Sequence, residues 1–428
     1  MTRGPKLAAM AWRNLWRRRR RTALTLVSIA FGGFLAVLFT AMQDRSFADF
    51  IDTAARLGGG HVTLQHPETL DRPSLGRTVR EVGRLRAAAL AVPGVERAVP
   101  RISGQIMLAT ARDSYGAFFL AYDPEAEDES TLSFVEGLQA GEVFDRPRQR
   151  GIVLGKRLAQ NLGLELGDKV VYTLTDRQGA ITTGMERLSG IIGTGAPSLD
   201  AGLCLLAIDT LRPVLGYAPD ESTQVAVFLA DSRESAAVAR RLNAELNPEG
   251  SRSDAPRSDV SVAALTWEET QAQLASFIAM KIGGGRVMEA IILVLVAAGI
   301  FNTLFVSVME RLREFGIMMA IGFSPGQLFR LVMWESLWLA LLGLALGAVV
   351  TAGPYAWLVR HGIDIAAMTG GTTSEVAGVG FAPVLRVGIY PENLGFIVAA
   401  IVAATLLAGL YPAWRAGRVV PVESIKLV

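Results

Sequence analysis

At 428 residues, 51% hydrophobic and 19% charged, the chain averages apolar, with a mean hydropathy of +0.35. A soluble domain of this size carries more charge, so the composition excludes an ordinary water-soluble protein. The net charge of +2 says little by itself; its distribution along the chain is the informative quantity.

Residues 1–23 hold Arg3, Lys6, Arg13 and the run from Arg17 to Arg21, with no acidic residue. A hydrocarbon core of about 30 Å at 1.5 Å per residue needs roughly 20 apolar residues, and the stretch 24–42 supplies the first. Arginines abutting an apolar span are a topology signal more often than a nucleic-acid site, so a basic cytoplasmic amino terminus and no nucleic-acid partner are expected. The apolar run is too long for a cleaved signal peptide and 38–42 offers no small-residue cleavage site, so it reads as an uncleaved anchor. Further spans are expected at 288–308, 329–352 and 394–412, with Tyr411 and Trp414 at the interface. Four spans return the chain to its starting side, so both ends are expected in the cytoplasm, with 43–287 and 353–393 outside and 413–428 as a cytoplasmic tail.

Between the first two spans the pattern predicts a large α+β domain. About 44–125 reads as an α/β subdomain: a strand at 60–65, a helix at 78–92 stopped by Pro93-Gly94, and strands at 95–110 and 116–122. An acidic linker follows at 125–129. About 140–260 reads as mainly β, with strands at 151–155, 169–175, 188–194, 203–209 and 224–230. Short helices are expected at 156–162 and from Asp231 through 246. Cys204, the only cysteine, falls in an apolar strand and cannot form an intrachain disulfide. Asp176, Arg177, Gln178, Gly179 and Met185 mark a polar hairpin over 176–185, a candidate partner site. A mobile loop is expected at 247–259. Thr266 and Glu269 form a capping box that opens a stalk helix over 266–287, interrupted at Gly283-Gly284-Gly285.

No catalytic or metal-binding constellation emerges. His61, His66 and His361 lack ligand partners at helical or turn spacing. The stretch from Gly151 to Arg157 has one residue too few between its glycines for a phosphate loop and lacks its Ser/Thr. Energy is therefore expected to enter through a partner. The segment 309–328 follows the second span on the cytoplasmic side. It carries Glu310, Arg311, Arg313 and Glu314, then Phe315, Gly316, Ile317 and Met318, and turns at Gly322. Its plainer reading is a helix-turn connection; the sharper one is a coupling helix that docks on an ATPase. Within the spans, Glu335 costs roughly 2.5–3.5 kcal/mol unless paired, with Arg330 or a partner subunit as the expected relief. Asn302 is expected to hydrogen-bond across helices.

The segment 310–328 resembles the E-R-x-x-E-[FI]-G-[IL]…A-[IL]-G signature of FtsX-like/MacB-type ABC transporter permeases. Ala11-Trp12-Arg13-Asn14-Leu15 with the following arginines resembles that family's amino-terminal entry. The stretch from Leu410 to Ala416, with Pro421 to Ile425, resembles its carboxy-terminal close. Within the family, GGGHVTLQHP after the first span and the pattern from Ile152 to Asp168 resemble LolC/LolE-type lipoprotein-releasing permeases. The 176–185 hairpin departs from the carrier-binding hook of such chains in being shorter and lacking a Phe/Pro tip.

The resemblance implies a one-plus-three α-helical membrane protein in the bacterial inner membrane, its α+β domain periplasmic, without an ATPase site of its own. It implies two copies of a partner ATPase, which bind ATP and Mg, and a second permease, identical or paralogous. It also implies a periplasmic lipoprotein carrier or an outer-membrane partner. The implied activity is mechanotransmission that releases lipoproteins or other amphiphiles. The alternatives are MacB-like efflux of drugs, toxins or peptides and FtsX-like control of a cell-wall hydrolase. A membrane enzyme acting alone is disfavoured by the lack of a site.

Overall fold

A computed structural model describes residues 4–133, 137–146, 148–246, 262–364, 375–376, 379–380 and 384–418. The loop expected at 247–259 and the closing motif at 421–425 lie outside the described residues. In chain order the elements begin with α1 (Gly4–Leu15), α2 (Arg19–Leu57), β1 (Val62–Gln65), α3 (Val82–Ala91), β2 (Val95–Ala109) and β3 (Ser114–Tyr122). Then come β4 (Leu138–Gly141), β5 (Ile152–Gly155), α4 (Lys156–Leu162), β6 (Lys169–Thr175), β7 (Ile181–Ile192), β8 (Leu203–Ala207) and α5 (Ile208–Leu215). The rest are β9 (Gln224–Leu229), α6 (Ser235–Leu246), β10 (Ala263–Thr266), α7 (Ala272–Glu310), α8 (Leu312–Ala320), α9 (Pro325–His361) and α10 (Pro391–Gly417).

Two compact units result: a helical one, 1–46 with 279–364 and 384–428, and an α+β one, 47–278 with 365–383. Among the described residues four helices, α2, α7, α9 and α10, are long and apolar enough to cross a membrane. In the helical unit α9 and α10 run beside one another, and α1 lies along α9 through Leu7, Ala11 and Leu15, its buried i, i+4, i+8 stripe. Asp44 accepts hydrogen bonds from the Tyr390 backbone N–H (3.1 Å) and the Asn393 amide (2.9 Å), which ties α2 to the start of α10. A carboxylate there also complements the positive end of the helix.

The helices overrun the spans read from hydropathy. α7 passes through Gly283-Gly284-Gly285 unbroken, and the break falls instead at Gln271, after a turn at Trp267–Thr270 that carries the expected Thr266–Glu269 capping box. Each helical glycine costs about 1 kcal/mol relative to alanine, but at Gly285 the bare backbone serves packing. A Cβ there would lie 2.4 Å from the Gln43 side chain of α2. α9 likewise continues past Gly353 and Pro354 to His361, shortening the expected 353–393 loop from both ends.

In the α+β unit ten strands form one sheet, ordered β10-β1-β9-β2-β3-β8-β5-β7-β4, with β6 pairing β2 and β7. The pairs β3–β8 and β5–β7 are parallel. The two subdomains expected from sequence order interleave, because β9 comes from the second stretch yet sits between β1 and β2. One core places Val82, Leu85 and Ala89 of α3 and Val238 and Leu242 of α6 over β1, β9 and β10. The other places Leu158 and Leu162 of α4 and Leu211 and Leu215 of α5 over strands β2, β3 and β5 to β8. Helix α5 replaces the end of the expected 203–209 strand: Ile208, Leu211 and Leu215 bury one face, and left-handed Gly216 ends it. Cys204 is buried in β8 as expected, and burial pushes its thiol pKa up.

Candidate functional site

α7 stops because Arg311 leaves the helical region (φ −102, ψ 8), and α8 starts at the next residue. α8 ends at Ile321 and Gly322; the latter's φ of +103 is a conformation that glycine adopts without strain. Ser324 and Gln327 then cap α9 reciprocally, with Pro325 at its first position.

Arg311 is turned inward rather than toward solvent. Its Nη1 donates to both carboxylate oxygens of Glu335 at 3.1 Å, and its Nε to Glu314 Oε2 at 3.3 Å. Asn14 of α1 donates to Glu335 Oε1 at 2.8 Å. The guanidinium lies 5.2 Å from the Phe315 ring centroid. The expected partner Arg330 is turned away and donates to the Gly326 carbonyl at 3.2 Å. Five residues apart on a helix, Arg330 and Glu335 lie on different faces, whereas Arg311 reaches Glu335 from the junction of α7 and α8. The Trp338 indole N–H donates to the Ala8 carbonyl at 3.2 Å, and Trp12 meets Trp338 edge-on. α1, α8 and α9 are thus pinned together where α7 ends.

Around this network Arg21 pairs with Glu310, and Arg17 lies 3.7 Å from Glu314. The arginine run therefore meets the segment 309–328 at matching four-residue spacing, a contact the topology reading missed. The spacing of Glu310 and Glu314 was the available signal. A cleft of about 60 Å³ beside Asn14, Arg21, Thr25, Ser307, Arg311 and Glu335 has room for a few waters at roughly 10–15 Å³ each.

α8 divides the candidate coupling residues by face. Phe315 and Gly316 are buried, Phe315 completely, against Ala11, Val308, Leu328, Leu331 and Ala413. The apolar contact expected of Phe315 is therefore made within its own unit. Arg313, Ile317, Ala320 and Ile321 form the exposed face, with Ile317 48% and Ile321 72% accessible; Glu314 and Met318 sit between the faces, and Glu310, the last residue of α7, is exposed. Asn302 is exposed on α7, and its expected interhelical hydrogen bond does not form among the described residues.

Within the 176–185 segment, 176–180 are the β6–β7 connection and 181–185 the start of β7. Asp176 accepts from the backbone N–H groups of Gln178 and Ala180, and Gly179 takes φ +86. Arg177 is not free for a partner: its guanidinium donates to Glu221 at 3.1–3.2 Å, and its backbone N–H to Leu215. Met185 lies within β7 with its side chain exposed. Burial alone would raise the Glu221 pKa. Hydrogen bonds from Thr78 and the Ala218 N–H, with the charges of Arg177 and Arg80, outweigh it and hold the carboxyl below its usual value. His66 accepts from the Glu68 N–H as a turn cap, and no metal-binding group occurs among the described residues.

A family model described as the MacB-like periplasmic core domain matches residues 22–245, and one for the FtsX-like permease C-terminal region matches 286–421. The chain belongs to the FtsX-like/MacB-type ABC transporter permeases. It is 26% identical over 349 residues to the lipoprotein-releasing system transmembrane protein LolC of Xylella fastidiosa (strain 9a5c), covering 79% of this chain and 80% of that one. It is 25% identical over 428 residues to the pyoverdine export ATP-binding/permease protein PvdT of Pseudomonas entomophila, covering 97% of this chain and 58% of PvdT. Among solved structures, the periplasmic region of MacB from Actinobacillus actinomycetemcomitans matches 51% of this chain and 94% of its own, with 10% identity and a TM-score of 0.33. In this permease, α8 occupies the signature segment between the second and third of the four apolar helices.

Proposed function

We propose that this permease couples a partner ATPase to the release of lipoproteins or similar amphiphiles from the outer leaflet of the bacterial inner membrane. The observation that carries the coupling is the two-faced α8. Its inner face is fixed to α9 by Arg311 and Glu335, while Arg313, Ile317 and Ile321 stay exposed. Such a helix transmits a push instead of absorbing it. ATP and Mg bind the ATPase, two copies of which serve two permeases, and both chain ends and α8 are cytoplasmic, as the arginine run favours. The likeness to LolC over most of both chains supports the cargo class.

Reconstitution in lipid discs with the partner ATPase and an acylated protein tests this reading. ATP-dependent release of the acylated protein is expected; ATP turnover with no release would remove that cargo. Likeness to PvdT over nearly the whole chain favours efflux of a small amphiphile as the second reading. Transport of such a compound but not of lipoprotein would establish it. Activation of a cell-wall hydrolase without any cargo would establish the signalling alternative.

A further inference from the structure

The end of α2 is built into the sheet of the α+β unit at several points. The His61 ring accepts the Leu229 backbone N–H through Nδ1 at 3.0 Å, which leaves Nε2 as donor to Asp52 Oδ1, also 3.0 Å away. The Gln271 amide donates to the Ala54 carbonyl at 3.2 Å, and Phe50 and Ala54 pack with Trp267, Leu274 and Ile278. β1, which follows α2, pairs with β10, which precedes α7.

At the centre of this arrangement is Arg101 of β2, with no exposed side-chain surface. Its Nε and Nη2 donate to the two oxygens of Glu127 at 2.9 and 2.5 Å. Nη2 also donates to the Thr131 carbonyl at 2.7 Å. Nη1 donates to the Arg56 carbonyl at 3.2 Å and to the Gly58 carbonyl. The guanidinium lies 5.4 Å from the Phe228 ring centroid. A guanidinium has five N–H donors, and all five are used. The Arg56 carbonyl belongs to the last turn of α2, where the helix itself supplies no donors, and the Gly58 carbonyl lies just past its end. Arg101 therefore joins the end of α2, β2, β9 and the 123–131 loop in one rigid fork. A lysine ammonium cannot reproduce that planar set.

We infer that Arg101 is the positioning residue that makes the end of α2 and the sheet move as one body, so that displacement of α2 becomes displacement of the α+β unit. This inference rests on the mechanical reading of function proposed above. Many buried ion pairs only hold a loop in place, and the test has to separate that role from a joint.

Spin labels at Ala48→Cys and Arg112→Cys, both within the α+β unit, report the joint in the full permease; Cys204 is buried and can remain. The variant is Arg101→Met with Glu127→Leu, which removes both charges together and so leaves none unpaired. The native distance distribution should be narrow with and without nucleotide. In the folded double variant it should broaden, with release per ATP falling about tenfold, within the coupling change that such substitutions produce. If the double variant does not fold, Arg101→Lys is read in the same way. A distribution in the folded variant as narrow as the native one would overturn the inference. Broadening in the variant, with no lipoprotein release by the native complex, would keep the joint and discard the cargo assignment.

Discussion

Arg101 in the α+β unit and Arg311 in the helical unit are both buried guanidiniums held by carboxylates, yet they are completed differently. Arg101 has all five donors engaged, three of them on backbone carbonyls, and neither it nor Glu127 has exposed side-chain surface. Among the described residues the Arg311 guanidinium is hydrogen-bonded to side chains alone, those of Glu335 and Glu314, and it borders a cleft with Glu314 41% accessible. The first geometry has no alternative arrangement at hand. The second has exposed Arg17 and half-exposed Arg21 close by and can exchange partners. The difference suits a fixed joint at one place and an adjustable anchor at the other.

Removing one arginine at a time should break the comparison most visibly. Arg101→Met alone strands Glu127 and should cost about 3–5 kcal/mol, read as a fall in the α+β unit's unfolding transition. Phe315→Ala should destabilise the helical unit by about 3–5 kcal/mol, because the ring is fully buried and leaves a cavity; loss of expression in the membrane is the practical readout. Arg311→Met should cost less, about 1–3 kcal/mol, since Glu335 keeps the Asn14 amide and has the cleft beside it. Equal losses for Arg101→Met and Arg311→Met would dissolve the distinction.

A third buried carboxylate sharpens it through pH. The Glu221 pKa is lowered from an ordinary value of 4.5, so its stabilisation is complete above about 4.5 and is lost as pH falls through the folded value. The melting gap between native protein and Glu221→Gln should be constant from pH 7 to 5 and close only below about 4.5. A gap that closes near neutrality would assign the cluster to another group. The Arg21–Glu310 pair is half-exposed, and a double-mutant cycle there should give no more than about 1 kcal/mol, falling with salt.

Much of the architecture was legible because it is local. The apolar spans, the alternation of β6, the continuous apolar run of β9 and the capping box at Thr266 depend on near neighbours. The joint was not legible. Glu127 sits in a stretch that reads as an acidic linker, and its partner lies 26 residues earlier in β2. The available signal was a lone arginine among Val99, Pro100 and Ile102. Glu335 is recognisable from sequence as a charge in need of relief, but Arg311 lies 24 residues earlier, across α8, and no local spacing connects the two. Phe315 and Ile317 looked equivalent as apolar residues. Only the 3.6-residue period of α8, anchored by Arg311, separates the buried one from the exposed one.

That separation leads to the most direct test of the coupling claim. Ile317→Asp with Ile321→Asp alters only the exposed face of α8 and should have the smallest effect on stability of any change considered. The measurement is co-purification of the permease with its ATPase, with permease-stimulated ATP hydrolysis in lipid discs. The account predicts normal membrane insertion, unchanged melting of the α+β unit, and loss of both association and stimulation. Full association and full stimulation in the double variant would mean that α8 is only a connection between α7 and α9, and that the ATPase engages another surface.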